Sequence, residues 1–283
     1  MTNLFTAASR SQTSSGNLQN HRPRRRSVLA CGLLSLLATS LVVLVAPLSG
    51  EEKKEPPVIK SIMPLGVVDG MTVPLLIRGF KLGEITEVKF PELKSAPVFK
   101  IKSKGPAPAV EKVAPDKIGD TQIEFDLTWP IDTPPGITTF IVVGPNGQSE
   151  PRKLMLLDSR STVAEKEPND GFSEAQELTL GQTITGNLAP KQNMDVFRFA
   201  GKKGQRIKVE SFAVQLGSPL DPFLLLHDSK GQVLAEVDKG AAGTDPVIEL
   251  TLPKDDQYFI TIRDASDLSS PLHAYLVKAS AQQ

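Results

Sequence analysis

The 283-residue chain is 40% hydrophobic and 23% charged, an ordinary globular composition that excludes a fibrous or largely disordered protein. Aromatic residues make up only 5%, which leaves little surface for stacking on sugars or bases. The 32 basic residues equal the 32 acidic ones, but five arginines lie within the first 27 residues. The remaining 27 bases face 32 acids, and this acidic balance excludes the basic surface that nucleic acid binding needs.

The N-terminal part combines that arginine-rich arm with an uncharged segment from Ser27 to Gly50. As a helix, a segment of this length would span roughly 36 Å, enough to cross a hydrocarbon layer of about 30 Å. Because clustered arginines stay on the cytoplasmic side, we expect the rest of the chain to be exported. The segment is either a membrane anchor that faces the body to the periplasm or outside, which its length favours, or the cleaved signal of a secreted protein.

These features divide the N-terminal part into three regions. We assign residues 1–27 to a basic cytoplasmic arm, 28–48 to a signal anchor or signal peptide, and 49–57 to a charged linker that ends in two prolines. The one cysteine of the chain, Cys31, lies in the second region. The exported body therefore has no disulfide, and packing or a bound metal must stabilise it.

Residues 58–158 show the pattern of β structure, with short apolar or alternating segments between Gly, Pro, Asn and Asp residues. The predicted strands are VIKSI, TVPLLIRGF, ITEVKF, TQIEFDLTW, ITTFIVVG and RKLMLL. A Pro-rich stretch, residues 103–120, interrupts them. The pattern predicts a small antiparallel β-sandwich.

The glycines and strand residues of this region resemble those of an immunoglobulin-like IPT/TIG domain. The resemblance is carried by residues 57–66 with Pro64 and Gly66, by the segment that contains Gly79 and Phe80, and by TTFIVVGPNGQSEP. It implies an adhesive or spacer role without active-site residues. The Pro-rich stretch departs from the family pattern and leaves the strand order there open.

Residues 159–283 contain further short strand patterns. The eight predicted strands are TITGNL, DVFRFAG, RIKVESF, FLLLHD, QVLAEV, VIELTL, YFITIR and HAYLVKA, which suits a jelly-roll-like sandwich. The one predicted helix is GFSEAQEL, with Asp170 or Ser173 as its N-cap. The fold class is therefore all-β, with two consecutive antiparallel β-sandwiches after an N-terminal membrane segment.

The second half also resembles a known family. The motif Glu167-Pro168-Asn169-Asp170, together with DVFRF, GSPLDPFLLLHDSKGQVL and YFITIRD, is similar to the bacterial pre-peptidase C-terminal domain from about Val163 to Ser280. A preceding IPT/TIG-like domain is an order typical of exported planctomycete-type proteins. The resemblance implies a non-catalytic module, because the family name describes a position beside secreted peptidases and no peptidase domain is present here.

Three carboxylates and an amide occur within residues 165–170 at the entrance to the second predicted sandwich. In an extended segment Glu165, Glu167 and Asn169 share one face, and Pro168 keeps Glu167 out of a helical conformation. Such oxygens are the hard ligands that Ca²⁺ prefers. The alternative is that Asp170 caps the predicted helix while the two glutamates are solvated linker charges.

The spacing also resembles the calcium-binding linker of collagen-binding modules that share this fold. That resemblance implies Ca²⁺ as a possible cofactor, and Asn187 and Gln192 stand where the family supplies further oxygens. The implied metal ligands are Glu165, Glu167, Asn169, Asp170 and Asp195.

An enzyme would need a catalytic base, and outside the N-terminal arm only His227 and His273 are available among histidines. Both lie in strand patterns without a recognisable catalytic motif, and we expect no catalysis.

The function favoured is an exported cell-surface or periplasmic module that binds or presents a protein or polysaccharide. The alternatives are an accessory or substrate-binding part of a secreted peptidase or hydrolase system, and a purely structural spacer.

Overall fold

The computed structural model describes residues 55–93, 97–111, 113–189, 194–240 and 244–282. The predicted cytoplasmic arm and membrane segment, and Gln192, lie outside these residues. Within the described ranges, no helix has both the length and the apolar character needed to cross a membrane.

Two β-sheets are built from the first half of the described chain. One has the strand order β1-β3-β6-β5, and the other has the order β2-β9-β7-β4 with β8 paired to β7. Neighbouring strands are antiparallel except for the parallel pair β2 and β9. The elements are β1 Val58–Met63, β2 Gly66–Val68, β3 Thr72–Phe80, β4 Glu87–Lys89, β5 Val98–Pro106, α1 Pro115–Ile118, β6 Thr121–Thr128, β7 Gly136–Gly144, β8 Gly147–Gln148 and β9 Arg152–Leu157.

Alternation along β6 explains how these sheets form a core. Ile123, Phe125 and Leu127 are fully buried, while the residues between them are half-buried. The ring of Phe90 packs against Trp129 with centroids 5.0 Å apart in an edge-to-face arrangement. Each such buried side chain contributes about 1.5–3 kcal/mol relative to exposure, so the alternation determines which face of the strand turns inward.

Two further sheets come from the second half, with strand orders β10-β12-β19-β14-β17 and β11-β13-β18-β15-β16. A 3-10 helix, Val214–Leu216, follows β14. Buried aromatic rings fill the space between the sheets, and Phe199 stacks on Tyr258 with centroids 5.7 Å apart. The strands are β10 Thr162–Ala164, β11 Gln176–Glu177, β12 Thr183–Asn187, β13 Asp195–Gly201, β14 Arg206–Phe212, β15 Pro222–His227, β16 Val233–Val237, β17 Val247–Thr251, β18 Asp256–Asp264 and β19 Ala274–Ala281.

All fourteen strands predicted from the sequence are present, and the all-β class is confirmed. The predicted helix at residues 171–178 is wrong, because this segment forms a turn followed by the short strand β11. Strand β11 pairs in parallel with β13, and Leu178 N–H donates to Arg198 O at 2.8 Å. These tertiary hydrogen bonds outweigh the weak helix preference of eight residues that begin with glycine.

One arginine joins the two halves. Arg152 in β9 donates from Nη2 to Lys60 O at 3.0 Å and to Gly217 O at 3.3 Å. Gly217 follows the 3-10 helix with φ of 80°, and a Cβ at this position would overlap the Arg152 guanidinium. The guanidinium is therefore a direct link between the first pair of sheets and the loop that follows β14.

Replacing Arg152 by Met should lower the free energy of unfolding by about 1.5–3 kcal/mol, since two charge-assisted hydrogen bonds are lost. Urea unfolding of the full-length protein measures the change. Arg160→Met is the matched control, because the exposed Arg160 bonds only to the nearby Asp158 among the described residues. Equal destabilisation by the two variants would contradict the role assigned to Arg152.

Candidate metal site

The acidic segment 165–170 enters the second pair of sheets as an extension of β10. Glu165 N–H donates to Thr185 O at 3.0 Å. The side-chain amide of Gln176 makes the two hydrogen bonds that the backbone of a neighbouring strand would otherwise make. Its Oε1 accepts from Lys166 N–H at 2.7 Å, and its Nε2 donates to Ala164 O at 3.1 Å. The side-chain amide of Gln176 therefore holds the chain extended at Ala164 and Lys166, but the chain bends at Glu167, so the alternation expected for Glu165, Glu167 and Asn169 does not continue through the segment.

Three carboxylates converge where this segment meets β13. Each of Glu167, Asp170 and Asp195 places one oxygen within 4.8 Å of the other two. Glu167 and Asp170 are exposed, whereas Asp195 is fully buried at the start of β13. Val196 N–H donates to Asn169 O at 2.8 Å, which fixes the loop against the strand. The cluster is therefore buried on the side of Asp195 and open to solvent on the side of Glu167 and Asp170.

Asn169 lies within the same cluster and is fully buried. Its backbone N–H donates to Glu167 Oε2 at 3.1 Å. With its amide nitrogen turned toward the acids, the side chain donates to Glu167 Oε2 at 2.9 Å and to Asp195 Oδ1 at 3.2 Å. A rotation of this amide by half a turn would present its oxygen to a cation instead.

Glu165 points to a different partner, the hydroxyl of Tyr275 in β19. The tyrosine hydroxyl lies 2.7 Å from Glu165 Oε2 and also bonds to Asp195 Oδ2. A single hydroxyl has one proton to donate, so one of the two carboxyl groups must carry a proton for both contacts to be hydrogen bonds. Burial raises the pKa of Asp195 to about 8 and also raises the pKa of Glu165, which agrees with a shared proton.

The register of the sheet brings Tyr275 to this place. Gly186 in β12 is paired with Tyr275, and a Cβ on Gly186 would overlap both the tyrosine ring and the Glu165 carboxylate. Asn187 follows and donates to Glu165 Oε1 from its backbone N–H at 2.9 Å and from Nδ2 at 3.2 Å. The isolated glycine inside the predicted strand TITGNL was the signal in the sequence for this close approach.

The donor set and its dimensions fit a hard divalent cation. Two ligands on opposite sides of a Ca²⁺ ion at about 2.4 Å each lie about 4.8 Å apart, so three carboxylate oxygens that all lie within 4.8 Å of one another can contact a single ion. Negative charges held this close repel each other. A bound cation would offset this repulsion and the cost of burying Asp195.

The structure thus brings together Glu167, Asp170 and Asp195 of the predicted ligand set and places the Asn169 amide between two of them. Glu165 reaches the cluster through Tyr275, and Asn187 contacts Glu165. Asp170 cannot cap the predicted helix, because residues 171–178 are not helical. The assignment of the five ligands remains a prediction.

The two histidines outside the N-terminal arm lie in packed surroundings. His273 is buried, and its Nδ1 bonds to Ser270 Oγ at 2.7 Å within one turn of chain. That hydroxyl also accepts from Leu272 N–H at 3.2 Å. The ring of His227 packs edge-to-face against Phe172 with centroids 5.0 Å apart. Both rings are explained by local packing.

Comparison with known proteins supports one part of this description. Residues 193–264 match the family model of the bacterial pre-peptidase C-terminal domain, which confirms the resemblance for that part of the chain. The fold and this match define an all-β chain in which residues 193–264 are similar to the bacterial pre-peptidase C-terminal domain. No catalytic family is indicated, and none of the curated proteins matches the chain.

Several solved structures share low similarity with the chain. The pre-peptidase C-terminal domain of collagenase from Bacillus anthracis is 17% identical, with a TM-score of 0.32 over 41% of this chain and 100% of that one. The glucan-locus protein SGBP-B of Bacteroides ovatus is 10% identical, with a TM-score of 0.25 over 74% of each chain. The secreted serine protease VesC from Vibrio cholerae is 11% identical, with a TM-score of 0.26 over 81% of this chain and 51% of that one. We draw no conclusion about ligand or activity from similarity at this level.

Replacing Tyr275 by Phe should destabilise the protein by about 1–3 kcal/mol, because the buried carboxyl group of Asp195 and the half-buried one of Glu165 lose their common hydroxyl partner. Tyr258→Phe is the matched control. Its hydroxyl is bonded to a neutral acceptor, Lys254 O, at 2.7 Å, and we expect about 1 kcal/mol there. Urea unfolding compares the two variants, and a smaller effect at Tyr275 would contradict the described carboxyl network.

Proposed function

We propose that the protein is an exported, non-catalytic module of the cell surface or periplasm that binds or presents a protein or polysaccharide, and that Ca²⁺ stabilises its second sandwich. The observation that carries the proposal is the convergence of Glu167, Asp170 and Asp195 at the entrance to that sandwich. Its ligand set consists of Glu165, Glu167, Asn169, Asp170 and Asp195.

The role of calcium follows from the position of these residues. The entrance segment is attached to β13 at Asn169 and to the Gln176 side chain. A cation that joins Glu167 and Asp170 to the buried Asp195 ties this exposed segment to the sandwich. Binding to the folded state alone stabilises it by mass action, by about 2.7 kcal/mol at a concentration of 100 times Kd.

Export is supported by the arginine-rich arm and the uncharged segment that follows it, and by the match to a domain named for its place beside peptidases. The IPT/TIG resemblance of residues 58–158 and the planctomycete-type domain order support an extracellular spacer or adhesive role for the first half. The N-terminal segment, retained or cleaved, would decide between an anchored and a secreted protein.

The same match favours one alternative, an accessory or substrate-binding part of a secreted peptidase or hydrolase system. In that case the domain would bring a separate enzyme to its substrate. Both functions are non-catalytic for this chain, and they differ in the partner that is bound.

Titration of the full-length protein with Ca²⁺ should give heat by calorimetry and raise the melting temperature, and a chelator should reverse the shift. Glu167→Gln and Asp170→Asn should each weaken binding about tenfold or more, because each removes a charged ligand from the cluster. Glu174→Gln is the matched control, an exposed acid on the same loop outside the cluster. The absence of heat and of a melting shift in the wild type would refute the calcium site.

Binding is tested separately from calcium. The full-length protein should sediment with isolated cell envelopes and should leave casein intact, since no catalytic family is indicated for the chain. Pretreatment of the envelopes with protease or with polysaccharide hydrolases identifies the class of partner. Casein cleavage that is lost in His273→Ala or His227→Ala would show that the protein is an enzyme.

A further inference from the structure

A second feature of the structure lies away from the acidic cluster. A cavity of about 670 Å³, open to solvent on one side, is lined by β3, by the part of the Pro-rich stretch that follows β5 and by the loop that precedes β19. This volume is in the range of small-molecule sites. Its apolar lining consists mainly of Met63, Leu76, Val110, Val113, Leu268 and Leu272.

One cation forms part of this apolar wall. Arg78 in β3 is only 3% exposed, and its Nη2 donates to Pro108 O at 2.8 Å and to Gly119 O at 3.2 Å. Its Nε is buried without a hydrogen-bond acceptor. Within the described ranges of the chain no carboxylate forms an ion pair with Arg78.

A buried guanidinium without an anion is costly. Burial lowers the pKa of Arg78, but a guanidinium keeps its charge in proteins. Two neutral carbonyls satisfy one of its nitrogens and offset none of the charge. An anion brought to this place would be bonded in a low-dielectric environment, where a charge-assisted hydrogen bond is strong.

The two acids of the lining do not supply that anion. Asp267 is exposed and pairs with Arg263 at 3.1 Å, and Glu111 is also exposed. Both therefore lie at the rim, whereas Arg78 lies on the buried wall. The distribution of charge favours a ligand with a single negative group that reaches Arg78 and an uncharged remainder.

The apolar lining indicates the chemistry of the uncharged part of the ligand. Among the described residues that line the cavity none is aromatic, so the stacking surface that sugars and bases use is missing. Aliphatic side chains of Leu76, Leu268 and Leu272 instead favour an aliphatic body. We propose that this cavity binds a small aliphatic monocarboxylate, with its carboxylate on Arg78 and its hydrocarbon chain along these leucines.

The test compares octanoate with 1-octanol, which share the chain and differ in charge. Calorimetry on the full-length protein, in the presence of a chelator, should show octanoate binding at least tenfold more tightly than 1-octanol, because only the carboxylate pairs with Arg78. Chelation separates this test from the calcium site, so either proposal can fail alone. Equal affinities, or binding of neither compound, would overturn the carboxylate site.

Variants locate the binding. Arg78→Met should abolish the preference for octanoate and leave 1-octanol affinity within about twofold, and Leu76→Phe should weaken both ligands by filling the cavity. Arg152→Met is the matched control, because Arg152 is a half-buried arginine that also donates to two carbonyls but does not line the cavity. If Arg78→Met fails to fold, Leu76→Phe decides. Unchanged octanoate binding in Leu76→Phe places the ligand elsewhere and overturns the proposal.

Discussion

The contact of two carboxyl groups, the buried Asp195 and the half-buried Glu165, with one tyrosine hydroxyl determines how the second sandwich begins. Glu165 and Asp195 come from segments 30 residues apart in sequence, and Tyr275 comes from the last strand. Since buried carboxyl groups are costly unless they are bonded or protonated, the meeting of these three residues stabilises the fold. Their meeting places the neighbouring acids Glu167 and Asp170 around Asp195, which makes a cation site geometrically available.

A similar principle applies to two arginines, the buried Arg78 and the half-buried Arg152. Arg78 and Arg152 both donate to backbone carbonyls and, in the described part of the chain, neither forms an ion pair. The roles nevertheless differ because their surroundings differ. Arg152 connects strand β9 to the turn at Gly217, whereas Arg78 lines an apolar cavity with room for a ligand. The same side-chain chemistry thus serves as a structural link in one place and as a candidate recognition group in the other.

The strands were predictable because their alternation of apolar and polar residues directly encodes which face is buried, as Ile123, Phe125 and Leu127 in β6 show. The helix at residues 171–178 was mispredicted for the complementary reason. Its eight residues have a weak intrinsic preference, and the hydrogen bonds of Gln176 and Leu178 to other segments decide their conformation. Tertiary contacts of this kind leave no periodic trace in the sequence.

The sequence by itself determined the all-β class, the positions of most strands and the clustering of acids in residues 165–170, because these depend on local pattern and composition. Only the tertiary structure decided that Glu165 pairs with Tyr275 while Glu167 and Asp170 turn toward Asp195, and that Arg78 lines a cavity. The physical reason is register. Tyr275 is 80 residues from Asp195 and 110 from Glu165, so these groups meet only once the strands have paired, and a shift of one residue in β19 would turn Tyr275 to the opposite face.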